Sequence, residues 1–175
     1  MKNYQEIFEN SLLMASNGEK KANILTYLAI ESEKLLGSGC VVSILLIDHN
    51  GLLRNGASPN LPLDYLNAID GIQPHPSVGT CAAAAATGKI VITESFLADD
   101  KWSELKHLPL SIGYAGAWSV PIKNNHNLVL GTMGVYERSA KLPHANDVSG
   151  IELLTKAAAH ILAPIENMLN EPSGY

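Results

Sequence analysis

The chain reads as an α+β fold: a mixed, mainly antiparallel sheet of five to six strands, with amphipathic helices from both termini on one face. Three observations predict it. Hydrophobic spacing is helical at both ends of the sequence and strand-like between them. Two pairs of strand-like segments are joined by short turns, Asp48-His49-Asn50-Gly51 and Asn124-Asn125-His126-Asn127, which makes each pair antiparallel. The segment 40–48 is apolar on both of its faces (Val41, Val42, Ile44, Leu45, Leu46, Ile47), as expected of an interior strand covered on both sides.

Each element follows in order. Residues 4–15 form a short helix with Ile7, Phe8 and Leu12 on one side, ended by Asn17-Gly18, which tolerate the left-handed conformation. A second helix over 19–36 carries Ile24, Leu25, Leu28, Ser32, Leu35 and Leu36 at helical spacing and stops at Gly37. Strands over 40–48 and 52–57 make the first hairpin. A proline-rich connection over 58–77, with one helical turn at 63–69, has the length of a lid or pocket wall. Ala82 to Ala86 are the body of a short helix, since alanine is the best helix former. A third strand covers 90–94. Asp99 or Asp100 caps a helix that begins near Trp102 and ends before Gly113, with Pro109 breaking or tightening its last turn. Strands over 115–123 and 128–137 make the second hairpin. The last helix, 147–169, carries the stripe Ile151, Leu154, Ala158, Ile161, Ile165 and Met168. It starts at a Ser149/Glu152 capping box or at Asn146, and Pro164 kinks it.

Composition bounds the function. At 175 residues, 46% hydrophobic and 17% charged, the chain is a globular domain with a real core, neither disordered nor a coiled coil. Net charge is −5, and the lysines and arginines form no stripe, so nucleic acid is not an expected partner. Cys40 and Cys81 are too few for a disulfide scaffold and lack metal-ligand spacing. The six histidines do not cluster, so no metal or cofactor is expected. The N-terminus has acids where a signal peptide would be apolar, and no apolar run approaches the roughly 20 residues of a bilayer span. The expectation is a bacterial-type cytoplasmic protein without a membrane partner.

The stretch VGTCAAAAATGK, residues 78–89, carries the most chemistry. It places Gly79, Thr80, Cys81 and Ala82 at a helix start, where backbone N–H groups lack intrahelical partners and favour an anion or a carbonyl oxygen. Cys81 there is either a thiol of lowered pKa or a small residue filling space. Trp102 and Trp118 are either aromatic walls of a pocket or ordinary packing. Ser119 alternates with Trp118, so only one of the two faces any given side of the sheet. No nucleophile, base and orienter assemble from neighbouring motifs, so no catalytic residues are expected.

Four stretches together resemble the GAF domain of bacterial sensory proteins. They are Gly79-Thr80-Cys81-Ala82 leading to Ala-Thr-Gly, IVITES with Asp99-Asp100-Lys101-Trp102, GAWSVPI at 116–122 and LGTMGVY at 130–136. The resemblance spans roughly residues 20–168. The chain divides into an N-terminal helix (1–18), a domain (19–169) and a disordered tail (170–175), and the resemblance implies a GAF-like (profilin-like) fold for the domain. It implies a ligand pocket on the sheet face opposite the terminal helices, with Gly79, Thr80, Cys81 and Ala82 presenting donors and Trp102, Tyr114 and Trp118 as walls. It also implies homodimerisation through the terminal helices. Ala82 departs from the family's usual glycine, and its methyl narrows the approach to the helix start.

The expected function is a sensory, regulatory domain that binds a small molecule and signals through a separate partner such as a histidine kinase. In size and organisation the chain resembles stand-alone nitrate-receptor proteins, which points to a small anion such as nitrate. A cyclic nucleotide fits less well, because the only arginines are Arg54 and Arg138. The alternative is a redox-active GAF enzyme of the free methionine sulfoxide reductase type using Cys81. A third possibility is a structural dimer with a collapsed pocket.

Overall fold

The computed structural model describes residues 2–163 apart from Ser38. Among them lie α1 (Tyr4–Ser16), α2 (Lys21–Leu36), β1 (Val41–Ile47), β2 (Leu53–Ala57), α3 (Leu63–Ile69), α4 (Thr80–Thr87), β3 (Val91–Thr93), α5 (His107–Ser111), β4 (Gly116–Lys123), β5 (Val129–Glu137) and α6 (Ala145–Leu162). The described strands form one five-stranded sheet in the order β2-β1-β5-β4-β3, with every neighbouring pair antiparallel. β1 is an interior strand, as its two apolar faces require.

Strand alternation sorts the sheet's side chains into two cores. Val42, Ile44, Trp118, Val120, Met133 and Val135 meet α1, α2 and α6 through Ile7, Ile24, Leu28, Ile151 and Leu154. On the other face Val41, Leu45, Ala117 and Tyr136 meet α3, α4 and the segment around Trp102 through Tyr65, Ile69, Ala82, Phe96 and Trp102. The helical layer is tight: a Cβ on Gly150 of α6 would lie 2.2 Å from the Tyr4 ring of α1. The Tyr4 hydroxyl also donates to Asp147, 3.0 Å away, at the start of α6.

Several element ends differ from expectation. The helix expected from Trp102 to Gly113 is two pieces, a 3-10 turn over Asp100–Trp102 and a separate α5. Asp99 caps the turn by accepting from the Lys101 N–H. Pro109 sits in the first turn of α5, where its missing N–H costs no intrahelical bond. α6 begins at Ala145, before both expected starts, with His144 as an N-cap lacking a side-chain bond; Ser149 and Glu152 are therefore interior. α2 starts at Lys21, and the Glu19 carboxylate, outside the helix, accepts from the Lys20 N–H and the Asn23 side-chain amide. β3 is trimmed to three residues. The capping box lies at α1, where Asn3 and Glu6 exchange hydrogen bonds, a pairing the sequence reading missed. The Pro164 kink, Ile165 and Met168 of the stripe, and the tail at 170–175 lie outside the described residues.

Candidate functional site

The start of α4 is fixed by its neighbours. Gly79 has φ +58°, a conformation that favours glycine, and its N–H donates to the Lys101 carbonyl at 2.8 Å. A chain of side-chain hydrogen bonds then runs away from the helix: Trp102 Nε1 donates to Thr80 Oγ1 (2.9 Å), Thr80 to Thr93 Oγ1 (2.9 Å), and Thr93 to Asp99 Oδ2 (2.8 Å). Lys101 closes it with a 2.7 Å ion pair to Asp99. Burial raises the Asp99 pKa, but the Lys101 and Thr93 bonds outweigh it and hold the carboxyl below its ordinary value. Thr80 and Trp102 thus brace α4 against β3 and the 3-10 turn.

Between α3, α4, the Trp102 segment and the sheet lies a small, partly open cavity of about 30 Å³. Its walls are mainly apolar, with Leu45 and Leu53 from the sheet, Ile69 from α3 and Trp102 at one side. Two tyrosines also line it, their hydroxyls 2.7 Å apart: Tyr65 from α3 and Tyr136 from β5. Burial raises the pKa of both. The volume admits about one or two water molecules. Anything larger must displace a wall.

α3 is the wall with polar tethers. Past its C-terminal end, Asp70 pairs with Arg54 at 2.6 Å, and Arg54 also holds Asp48 at 2.9 Å. Before its start, the Asn60 amide donates to Glu33 of α2, whose other oxygen accepts from the Val42 N–H of β1.

Of the residues expected at the site, Gly79, Thr80, Cys81, Ala82 and Trp102 come together around this cavity. The Ala82 carbonyl accepts from the His75 N–H at 3.1 Å, pinning the connection that precedes α4. Tyr114 belongs to the same core but stands behind the cavity. It packs edge-on to Tyr136 at 5.7 Å and lies under the Arg138 guanidinium at 4.7 Å. Trp118, expected as a wall, faces the terminal helices instead, where its Nε1 donates to Glu137 Oε1 at 3.3 Å. The physical reason is alternation along β4: Ala117 and Ser119 take the cavity side, and Trp118 and Val120 the helix side. Sequence reasoning missed Tyr65 and Tyr136. Alternation from Thr132 through Gly134 to Tyr136 was the available signal.

The thiols lie on opposite faces of the sheet. Cys40 belongs to the helix-side core and donates to Glu137 at 3.1 Å; burial and that carboxylate push its pKa up to about 12. Cys81 lines the cavity, and burial raises its pKa against the opposing pull of the Ser119 and Thr132 hydroxyls. Cys40 is buried and Cys81 half-buried, and burial raises the pKa of both, so neither thiol is activated toward thiolate.

The sequence profile of a family described as GAF domain matches residues 23–163. Among curated proteins, the chain is similar to the methyl sulfide methyltransferase-associated sensor of Methanosarcina acetivorans, 29% identical over 137 residues. That match covers 78% of this chain and 14% of the relative, so the chain spans only a small part of that sensor's length. Among solved structures, it is similar to the GAF domain of an Acinetobacter phosphoenolpyruvate-protein phosphotransferase (TM-score 0.70, 16% identity, 97% of this chain and 99% of the other). It is also similar to a free methionine-R-sulfoxide reductase from Neisseria meningitidis in complex with its substrate (TM-score 0.68, 18% identity, 90% and 87%). At these identities the structures speak for the fold alone.

Proposed function

Because the chain belongs to the GAF domain family, we propose that it is a sensory, regulatory domain whose ligand enters the cavity between α3, α4 and the sheet. The observation that carries the reading is that small apolar cavity, set on the sheet face opposite α1, α2 and α6 and walled on one side by α3. A ligand that fills it favours the arrangement in which α3 and the connection over 58–79 have moved outward. That is a population shift, and its extent is set by the ligand's differential affinity for the two states.

The lining argues for the ligand's class. Among the described residues no lysine or arginine lines the cavity, and Arg54 is engaged by Asp48 and Asp70. This favours a small uncharged molecule over the nitrate-like anion that the helix start alone suggests. The altered α3 and helical layer would be read by a separate signalling protein such as a histidine kinase. A second copy of the chain would pair through α1, α2 and α6 in the cytoplasm. The raised pKa of the half-buried Cys81, with Cys40 across the sheet, weighs against the methionine sulfoxide reductase alternative.

Thermal-shift screening of uncharged metabolites, anions and methionine sulfoxide tests this reading, together with native mass spectrometry of the purified chain. An uncharged ligand at a hundred times its Kd stabilises by about 2.7 kcal/mol. Stabilisation by nitrate alone would replace the ligand class. Turnover of methionine sulfoxide, lost in Cys81→Ser, would replace the function.

A further inference from the structure

Beneath α4, the cavity side of the sheet carries two hydroxyls that no apolar ligand explains. Ser119 of β4 and Thr132 of β5 are both fully buried, and apart from facing the Cys81 sulfur neither hydroxyl has a hydrogen-bond partner among the described residues. Buried hydroxyls are almost always paired, so two together call for an explanation. Both face the Cys81 thiol, which is itself part of the cavity wall.

The backbone beside them is kept bare. Gly134 of β5 pairs with Ser119 on one side and Ser43 on the other. A Cβ there would sit 2.7 Å from Cys81 Sγ and 3.9 Å from Ser119 Oγ. The glycine therefore leaves room for the thiol and keeps the space between thiol and hydroxyls free of a methyl group. The nearby Ser43 hydroxyl is already used, at 2.8 Å from Ser58 Oγ.

The two hydroxyls lie behind Cys81, which lines the cavity where they do not. We propose that, when a ligand displaces this wall, Ser119 and Thr132 form a polar floor that binds one acceptor oxygen of it, the ligand being a small uncharged carbonyl compound whose short apolar body lies against Leu45, Trp102 and Tyr136. This rests on the cavity being the ligand site. A carbonyl oxygen has two lone pairs, matching two hydroxyl donors. Burial raises the Cys81 pKa and so favours the neutral thiol, a weak acceptor, and the hydroxyl hydrogens that face its sulfur are free to turn to the ligand. A buried site built to hydrogen-bond rejects an analogue lacking the acceptor, because its own polar groups are then left unpaired.

The test uses 2-butanone and xenon as probes, followed by methyl-NMR titration of the wild-type chain and of Ser119→Ala, Thr132→Val, their double variant and Thr132→Ser. The expected result is that the double variant binds 2-butanone at least tenfold more weakly while xenon binding changes less than twofold. Thr132→Ser, which keeps the hydroxyl, retains ketone binding. If ketone affinity is the same in the double variant, or Thr132→Ser loses it as Thr132→Val does, the polar floor is overturned and the cavity stands. If neither probe binds the wild-type chain, the cavity reading fails and takes the polar floor with it.

Discussion

Cys81 and Trp102 show how much of this site is settled by single atoms. The Trp102 indole is held by one hydrogen bond to Thr80, which in turn leans on Thr93 and Asp99. Trp102→Phe keeps the ring but leaves Thr80 without its donor, and is expected to cost about 1 kcal/mol in urea denaturation. The cysteines give a second prediction. Both have pKa values raised by burial, so the thiolate fraction at pH 8 is below that of a free cysteine, and for Cys40, at about 12, it is roughly one in ten thousand. Both should resist a thiol-specific reagent in the folded chain and react in full once it is unfolded. Rapid labelling of Cys81 in the native state would restore the redox alternative.

Between elements, glycines set how closely layers approach. Gly134 lets α4 settle on β5, and Gly134→Ala drives a methyl into Cys81, with an expected loss of about 1–3 kcal/mol. Removing the Cys81 sulfur in a Gly134→Ala/Cys81→Ala double variant should recover part of that loss, a coupling that a double-mutant cycle in denaturant reads directly. The tethers of α3 are of another kind. Arg54 is 42% exposed and Asp70 47%, so their ion pair is worth only about 0–1 kcal/mol. A wall held this lightly should open more readily than β1 and β5, and amides over 63–72 should exchange hydrogen before those of the sheet.

For the molecule as a whole, stability should depend on pH at both ends. The Cys40 pKa rises from 9.0 to about 12 on folding, so its contribution is full below about 9 and is lost as pH climbs toward 12, where the unfolded chain binds fewer protons. Asp99 and Glu31 have lowered pKa values through their lysine partners, so their contributions are present above the ordinary carboxylate range and lost on acidification below it. Thermal melts across pH should therefore fall away at both extremes, and Cys40→Ala should flatten the alkaline limb.

Much of this fold is legible in the sequence because period and local chemistry encode it. Both hairpins, the interior position of β1, the alanine helix and the terminal amphipathic helices all follow from spacing within a dozen residues of chain. That the start of α4 and Trp102 border a pocket was an expectation from the resemblance to the GAF domain, carried by the motifs around Gly79–Ala82 and Asp99–Trp102, rather than from spacing alone. Helix ends were less legible, because His144 and Pro109 are accommodated by packing rather than by caps.

What the residues could not announce is which sheet face each strand presents to which layer. Alternation says that Trp118 and Ser119 point apart, but only the packing of α1, α2 and α6 against one face decides that the tryptophan belongs to the helices and the serine to the cavity. The pairing of Tyr65 with Tyr136, 71 residues apart, and the meeting of Cys81 with Ser119 and Thr132 are likewise tertiary facts. Sequence fixes what lies within a turn or a strand, through propensity and period. The cavity and its floor exist only where elements distant in the chain are packed together, and there burial and register set the chemistry.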